Sequence, residues 1–453
     1  MSTDVLTRTK GRVDAYFGIS DHGSTVKREL MAGTITFLAM SYVLAVNPRI
    51  LGDQGDLGSK GMPIQAVFTA TAVAAVFGTL VMGLWARYPV ALAPGMGLNA
   101  FFAYTVILTM GIPWEEALSG TLLSGIIFFV LAITKVREKI IDAIPMQMKL
   151  AVGAGIGMFV AFLGLKSAGI VVSSPATFVH LGDFHKGTTL LALFGLLVTV
   201  IFLVIGWHGA VLYGILSTTV LGIVCGLVEL PDSVAALPHG LDKTFGQAVI
   251  HLPDAFTGQM IIVVLTMLFV DFFDASGTLI GVANQAGLLT KDGKLERAGQ
   301  ALAADSVGTA AGAIIGTSTT TAYVESTAGV SAGGRTGLTA VSTAGWFLVA
   351  LFFFPVFSVF ASVPAVTAPA LIVVGVLMSR ALGEIDWSRL EYAVPAFITV
   401  IMMPLTYSIA NGIALGLLFY PVVMVAKKRA REVHPVMWVL MLVFLSYFWF
   451  LAE

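Results

Sequence analysis

Residues 318–334 read STTTAYVESTAGVSAGG, a run of threonines followed by one glutamate and three glycines. The β-branched residues at its start favour an extended strand, and the glycines loosen the short helix expected after it. Residues 89–104, PVALAPGMGLNAFFAY, have the same character. Pro89 and Pro94 deny helix hydrogen bonds there, so a helix can restart only after about Gly97. Both stretches are therefore predicted to be half strand and half helix.

The sequence around these stretches has the composition of a polytopic membrane protein. Of its 453 residues, 57% are hydrophobic and 11% are charged, against about 25% charged in soluble proteins. A bilayer is crossed by about 20 apolar residues, which predicts an all-α membrane protein with fourteen transmembrane spans. The spans are expected near 31–50, 64–84, 89–110, 117–134, 150–170, 188–206, 209–229, 259–283, 298–316, 318–334, 337–361, 364–382, 392–408 and 410–426.

The loops and ends set the orientation. Residues 1–29 are polar and lack a signal peptide, so the N-terminus is expected in the cytosol. With this orientation, 20 of the 25 Lys and Arg residues lie on the cytoplasmic side and four on the outer side, and Lys166 falls within a span. Cytoplasmic loops are expected to carry such an excess of Lys and Arg. Residues 436–451 are apolar but short, so they either cross the membrane again or lie along its surface.

The two interrupted spans are numbers three and ten, which suggests an internal repeat. Aligning Gly78-Thr79 with Gly308-Thr309 gives an offset that sets Gly95 opposite Glu325. Because the two breaks are seven spans apart in the order of the chain and seven is odd, the second half would be inverted in the membrane. Inverted repeats with broken helices in matching positions indicate a secondary transporter, whose site lies where the breaks meet. Glycine-rich packing of ordinary helices is the alternative interpretation.

Four acidic residues lie inside predicted spans, namely Asp271, Asp274, Asp305 and Glu325. Each costs about 2.5–3.5 kcal/mol on insertion scales, so together they indicate a polar interior. Asp271 and Asp274 share a helical face, and Asp271 is equally consistent with a scaffold role. Asp305 is expected to open the ninth span, where it could instead cap the helix.

These carboxylates suggest coupling to an ion. No basic residue lies at comparable depth in the predicted spans, and low dielectric disfavours a lone charged carboxylate. One of them could therefore bind a proton on one side of the membrane and release it on the other. A bound sodium ion is the competing interpretation. No organic cofactor or metal site is predicted.

Other classes are excluded by simple features. A net charge of −1 provides no basic field for nucleic acid. Cys225 is the single cysteine, so an internal disulfide or a cysteine metal cluster is excluded. The sequence contains neither HExxH nor a GxxxxGK[ST] phosphate loop, and its threonine run has no nearby histidine base for hydrolysis.

Five strings resemble a known family. They are TFLAMSYVLAVNP (36–48), ALAPGMGLNAFFAYTV (91–106), FVDFFDASGTLIGVA (269–283), ADSVGTAAGAIIGTSTTTAYVESTAGVSAGGRTGL (304–338) and IMMPLTYSIANGIA (401–414). They are similar to those of the AzgA-like purine permeases of the nucleobase/ascorbate transporter superfamily. The resemblance implies a homodimeric transporter in the cytoplasmic membrane that imports guanine, hypoxanthine or adenine with protons, without enzymatic activity.

The resemblance also implies a division of the chain into a core domain and a gate domain. The core would comprise 30–134 (spans one to four) and 259–361 (spans eight to eleven), and the gate 150–229 (spans five to seven) and 364–426 (spans twelve to fourteen). Residues 1–29 and 427–453 would be the cytosolic N-terminal segment and a basic cluster with the C-terminal apolar segment.

Site residues follow from the same resemblance, residue by residue. In the superfamily, an acidic residue of span eight contacts the base and is followed three positions later by glycine. In this sequence these two positions are Asp274 and Gly277. The residue at the strand-to-helix junction of span ten falls on Glu325. The glycine and asparagine of span three fall on Gly97 and Asn99, and the aspartate opening span nine on Asp305.

The residues and the resemblance together predict a binding mode. Glu325 and Asp274 would accept hydrogen bonds from the ring N–H groups of a purine. Amides near Gly97 and Ser326, with Thr327 beside them, would donate to its acceptors. Tyr42, Phe272 or Phe273 would stack on the ring, unless they serve only as packing.

The substrate is left open by the sequence. Paired carboxylates favour guanine and hypoxanthine. Adenine also carries an amino donor, so an adenine permease or a broader nucleobase permease is the alternative. An anion transporter or channel of the same fold is the alternative from a different class. A site for anions would require a cation near the breaks.

Overall fold

The structure is a computed structural model that describes residues 11–53, 57–134, 145–231, 233–290 and 295–450, apart from the side chains of Phe273 and some residues of the last helix. Its α-helices, in chain order, are α1 (Arg12–Phe17), α2 (Val26–Met40), α3 (Val43–Leu51), α4 (Ile64–Val81), α5 (Met96–Ala100), α6 (Trp114–Ile133), α7 (Met146–Ser167), α8 (Gly187–Val204), α9 (Ala210–Val224), α10 (Gln247–Ile250), α11 (Gly258–Ala286), α12 (Ala298–Ile315), α13 (Ser326–Ser331), α14 (Gly337–Ala350), α15 (Phe354–Ser362), α16 (Pro364–Met378), α17 (Leu390–Leu405), α18 (Ile409–Ala426) and α19 (Pro435–Phe450).

The structure also contains four short strands and two π-helical segments. The strands are β1 (Leu92–Pro94), β2 (Val171–Ser174), β3 (Phe178–Leu181) and β4 (Thr320–Ala322). The π-helical segments continue α4 and α5, over Met82–Ala86 and Phe101–Thr109. The 3-10 turns are Gly58–Lys60, Leu241–Lys243, Leu252–Phe256, Leu351–Phe353, Ser379–Glu384 and Ala430–Glu432.

The fold is that of a polytopic membrane protein. Within the described ranges, nine helices are long and apolar enough to cross a membrane, and three shorter apolar helices accompany them at Met96–Thr109, Ala210–Val224 and Leu390–Leu405. Since water does not reach the bilayer core, helices satisfy their own backbone there. The composition-based prediction of an integral membrane protein rich in helices is therefore confirmed.

The two interrupted stretches meet as a pair of antiparallel strands. Leu92 pairs with Ala322 and Pro94 with Thr320, and all six strand residues are buried. The short helices α5 and α13 begin soon after β1 and β4. The strand and following helix predicted at both places are therefore present, and extended backbone at this depth is satisfied by pairing with the other strand.

Two groups of helices pack mainly within themselves. One group surrounds the strand pair and consists of α2, α4, α6, α11, α12 and α14, whereas the other consists of α7, α8, α9, α16, α17 and α18. The helix α7 also touches α5 and α11, so it lies where the second group faces the strand pair.

Three features differ from the sequence-based expectation or were not predicted. The first apolar segment is two helices, α2 and α3, joined at Ser41 and Tyr42. It begins at Val26, within the predicted N-terminal segment 1–29. The chain after α7 forms a β2–β3 hairpin at the surface.

The C-terminal apolar segment is helical. Helix α19 has 16 residues, which corresponds to about 24 Å at the rise of an α-helix, against about 30 Å for a hydrocarbon core. Met437, Leu440 and Phe444 are buried, whereas Val439 and Leu442 are exposed. The helix therefore packs on its neighbour α18 along one face.

Candidate functional site

Glu325 lies at the junction between β4 and α13, as the residue that precedes the first turn of the helix. The hydroxyl of Tyr42 donates a hydrogen bond of 2.7 Å to Glu325 Oε1. Tyr42 is 1% exposed and lies at the joint between α2 and α3, so this joint places its ring beside the strand pair. The Tyr42 hydroxyl is engaged with the carboxylate, and Glu325 itself is only partly buried.

Asp274 faces the same region from α11. It is partly exposed and close enough to Glu325 for the two carboxylates to interact electrostatically. Beyond it, a Cβ atom placed on Gly277 or on Gly281 would meet no heavy atom within 4 Å. Gly277 and Gly281 follow Asp274 by three and seven positions, so they share its side of α11, and this side is open beside them.

The aromatic residues of α11 do not all face this space. Phe272 is 2% exposed and packs edge-to-face on Phe128, with ring centroids 5.4 Å apart. For Phe272 the structure therefore agrees with packing, the second of the two roles considered for it. The Phe273 side chain lies outside the part of the chain that the structure describes.

Asp271 and Asp305 lie behind the strand pair and are both fully buried. Asp305 Oδ1 accepts a hydrogen bond of 2.8 Å from the Ala322 amide. The hydroxyl of Thr309 lies 3.0 Å from Asp271 Oδ2 and 2.9 Å from the Thr320 carbonyl. Both carboxyl groups are therefore connected to β4, Asp305 directly and Asp271 through Thr309.

The expectation that Asp305 opens and caps the ninth span is wrong. Helix α12 begins at Ala298, so Asp305 lies two turns inside it, where the first-turn amides are out of reach. Its side chain instead bonds β4, because the strand amide at Ala322 needs an acceptor in a region without water.

Gly97 and Asn99, the span-three candidates, lie on α5 and have different surroundings. A Cβ atom on Gly97 would come within 2.3 Å of Ile156 on α7, so a larger residue does not fit there. Asn99 is fully buried, donates to Asn47 Oδ1 over 2.6 Å and accepts from the Ser318 hydroxyl.

Asn47 was missed by the sequence analysis. Its amide nitrogen lies 2.7 Å from Thr71 Oγ1 and 3.0 Å from Thr317 Oγ1, so it connects α3, α4 and the approach to β4. The available signal was an amide inside the apolar run VLAVNP, because a buried amide is retained only where all its partners are present.

Ser326 and Thr327 use their side chains locally. Ser326 Oγ accepts from the Ala91 amide over 3.0 Å, and Thr327 Oγ1 donates to the Val324 carbonyl over 2.7 Å. The amides of Ser326, Thr327 and Ala328 already donate to carbonyls of residues 323–325. In this structure the expected donation from the Ser326 amide to a ligand is therefore not available.

A second missed residue, Glu29, holds the turn between α13 and α14. It is 0% exposed and accepts hydrogen bonds from the amides of Arg335 and Thr336 and from the hydroxyls of Thr336 and Thr339. The Arg335 guanidinium donates to the carbonyls of Val330 and Gly334. Glu29 and Arg335 thus fix the segment that follows Glu325.

The buried charges share one sign. Among the described residues, the charged side chains in the buried class are Glu29, Asp271, Asp305 and Glu391. All four are acidic; Glu391 lies in the other helix group, where Arg389 and Arg429 pair with it, and the partly buried Arg335 lies beside Glu29. Buried carboxylates of this kind can accept hydrogen bonds from a ligand with N–H donors, or bind a proton or a cation.

Comparison with known proteins gives the family. Residues 27–415 match the Permease family. The chain is 53% identical to the guanine/hypoxanthine permease PbuG of Bacillus subtilis (strain 168), over 96% of this chain and 99% of that protein. It is 41% identical to the adenine permease AdeP of Escherichia coli (strain K12), over 98% of each chain.

A solved structure shares the fold at low sequence identity. The transmembrane domain of a cyanobacterial bicarbonate transporter, BicA, superposes with a TM-score of 0.59 and 16% identity, covering 86% of this chain and 97% of that one. The match over nearly all of both chains agrees with the membrane architecture. From the family match and the two relatives, this chain belongs to the Permease family, in the AzgA-like branch of the nucleobase/ascorbate transporter superfamily, and is a transporter rather than an enzyme.

Proposed function

We propose that this chain is a secondary active transporter that imports purine nucleobases, with guanine and hypoxanthine preferred, by proton symport. The observation that carries the proposal is the pair formed by Glu325 and Asp274. Both carboxylates are partly exposed, and Asp274 shares its side of α11 with Gly277, which has open space beside it. The relatives whose names give purines as substrates align with almost the whole chain.

Purine chemistry matches these groups. Guanine and hypoxanthine carry ring N–H donors next to a carbonyl and imine acceptors, and a carboxylate accepts from such donors strongly. Glu325 is oriented by Tyr42, which leaves its other oxygen for the base. Asp274 would accept from a second donor. On the acceptor side of the base, the start of α5 at Gly97 is the remaining candidate, since the first α13 amides are occupied.

The coupling ion is proposed to be a proton. The buried charged groups around the site are acidic, and a carboxylate without a cation gains by binding a proton. Asp271, Asp305 and Glu325 are the candidate groups, with Asp271 and Asp305 also holding β4. Sodium held by the same oxygens is the alternative, and it predicts uptake that depends on sodium rather than on the proton gradient.

We further propose fourteen spans in two inverted halves, with the N-terminus in the cytosol of the cell and the chain in its cytoplasmic membrane. The helices packed around β1 and β4 would form the core domain, and the α7, α8, α9, α16, α17 and α18 group the gate domain. Movement of the core against the gate would carry the base across, and two copies would pair as a homodimer. The matching places of Gly95 and Glu325 before their helices support the repeat.

Two alternatives have specific support. Similarity to AdeP favours adenine or a broader range of nucleobases, because adenine also offers an amino donor to a carboxylate. The fold shared with a bicarbonate transporter favours an anion, but that class needs a cation at the site. The described charges in the buried interior are acidic, which disfavours it.

Uptake measurements test the proposal. Cells without purine permeases of their own would express the chain and receive labelled guanine, hypoxanthine, adenine, uracil or bicarbonate, with and without a protonophore at constant sodium. We expect protonophore-sensitive uptake of guanine and hypoxanthine, lost in Glu325→Gln and Asp274→Asn. Glu384→Gln, which removes an exposed carboxylate remote from the strand pair, serves as the matched control. Purine uptake that survives both site variants would contradict the site assignment.

A further inference from the structure

A groove that the transport site does not use lies at the end of α4. It has a volume of about 530 Å³ and opens to the surface between α1, the end of the α4 segment and the start of α12. Its lining residues are Tyr16, Leu84, Trp85, Arg87, Arg297 and Gln300.

Arg87 is held in the groove by its backbone and by an aromatic ring. It ends the π-helical segment with φ of 60°, in the left-handed region that non-glycine residues rarely adopt. Its guanidinium lies 4.4 Å from the centre of the Tyr16 ring, a cation–π contact. Tyr16 in turn donates to the Leu84 carbonyl over 2.9 Å. The charge of Arg87 is thus fixed at one wall.

Arg297 supplies a second positive charge from the start of α12. It precedes α12, and no side chain caps this helix, so the positive end of the helix dipole adds to its charge. Within the described ranges, no carboxylate lies within 4.0 Å of either guanidinium. Glu296, the acidic neighbour in the chain, is exposed. Two arginines therefore face one groove, and no acidic partner for them lies in the part of the chain that the structure describes.

The edge of the groove is apolar and lies at the end of a membrane helix. Leu84 is 42% exposed and Trp85 43% exposed, in the last turns of the span Ile64–Ala86. Tryptophan at such a position is typical of the boundary between acyl chains and headgroups. The groove thus combines a surface for acyl chains with two donors for an anion.

We propose that this groove binds the phosphate headgroup of an anionic phospholipid in the cytoplasmic leaflet. Arginine forks match phosphate oxygens in geometry and charge, and basic pockets between helices on the cytoplasmic side bind such headgroups. The inference rests on the orientation given under the proposed function, not on the substrate. A headgroup there would join the ends of α4 and α12, the helices that pack against β1 and β4.

Lipid binding to the purified full chain tests this inference without any transport assay. The detergent-solubilised protein would be offered palmitoyl-oleoyl phosphatidylglycerol, phosphatidylcholine with the same chains, or inorganic phosphate, with binding measured by native mass spectrometry. We expect phosphatidylglycerol to bind at least about tenfold more tightly than phosphatidylcholine. The double variant Arg87→Gln/Arg297→Gln should lose this preference, and Arg380→Gln, at an exposed arginine outside the groove, should keep it.

Three results would overturn the proposal. These are equal binding of the two lipids, an undiminished preference in the double variant, or displacement of phosphatidylglycerol by equimolar inorganic phosphate, which would assign the groove to a soluble anion. If the glutamine variant does not fold, Arg87→Lys/Arg297→Lys keeps the charge but not the fork. The lysine double variant should then prefer phosphatidylglycerol less strongly than the parent chain does. If it binds phosphatidylglycerol as tightly as the parent, the guanidinium groups do not make the proposed contacts. A failure of purine uptake would leave all of these outcomes unchanged.

Discussion

Tyr42 and Glu325, 283 positions apart in the chain, are joined by a hydrogen bond of 2.7 Å between the phenol hydroxyl and a carboxylate oxygen. The joint between α2 and α3 positions the tyrosine, and the end of β4 positions the glutamate. The contact therefore links the first apolar segment of the chain to the strand pair at the candidate site.

Tyr42→Phe removes this donor without changing the ring. A hydrogen bond to a charged group contributes about 1.5–3 kcal/mol, so Glu325 should lose its fixed orientation and the KM for guanine uptake should rise about tenfold or more. Initial uptake rates over a range of guanine concentrations measure this. Tyr213→Phe, a change at a ring outside the strand pair, is the control. An unchanged KM would mean that the Tyr42 contact does not orient the base-binding carboxylate.

Gly97 and Ile156 provide a steric test of the contact between α5 and α7. A methyl group on Gly97 would overlap the Ile156 side chain at 2.3 Å, and overpacking of this kind costs about 1–3 kcal/mol. Gly97→Ala should therefore reduce uptake about tenfold, and Ile156→Ala in the same chain should restore most of it.

The control for that pair lies on α11. Gly277→Ala adds the same methyl group where no heavy atom lies within 4 Å, so membrane insertion and thermal stability should not change. Should Ile156→Ala fail to rescue Gly97→Ala while the double variant is folded, the glycine is required for a reason other than the space beside α7.

Glu29→Gln tests the support of the turn between α13 and α14. The buried carboxylate accepts hydrogen bonds from donors on residues 335, 336 and 339, and an amide would turn an N–H group towards some of them. We expect a loss of about 2–4 kcal/mol of stability, seen as a lower melting temperature in detergent. The control Glu384→Gln should have the melting temperature of the parent chain. If Glu29→Gln also has that melting temperature, the hydrogen bonds of Glu29 do not stabilise this turn.

Glu391 predicts a pH dependence at the start of α17. Its own backbone amide, and then the Arg389 guanidinium, hold the pKa of this carboxyl below its usual range, and Arg429 donates to it over 2.7 Å. Because the pKa is lowered in the folded chain, its stabilising contribution is present above the unfolded value and is lost as the pH falls through the folded one. The melting temperature of the parent should fall more steeply below about pH 5 than that of Glu391→Gln.

Much of the architecture could be predicted because membrane helices depend on local composition. An apolar run long enough to cross the bilayer forms a helix whatever its neighbours are, so the segment positions agree with the helices α4, α6, α7 and α11. The strand tendency of the Thr319–Thr321 run and the prolines around β1 are equally local. The joint at Tyr42 was not predicted, because the run FLAMSYVLAV (37–46) contains no proline or glycine that would interrupt a helix.

The individual contacts of the site were harder to predict. Capping was one of two roles considered for Asp305, but its contact with the Ala322 amide depends on how α12 packs against β4. Asn47 and Glu29 were not selected at all, since their partners come from residues far away in the chain. For Phe272 the sequence left both stacking and packing open, because the contact with Phe128 on α6 depends on how α6 and α11 pack.

The sequence alone determined the membrane character of the chain, its interrupted segments and its set of intramembrane acids, because hydrophobicity, backbone propensity and charge act at each position separately. Only the tertiary structure decided which acids border open space and which are enclosed behind the strands. Burial and hydrogen-bond partners depend on segments hundreds of residues apart, and the identity of one residue carries no information about which distant residue packs against it.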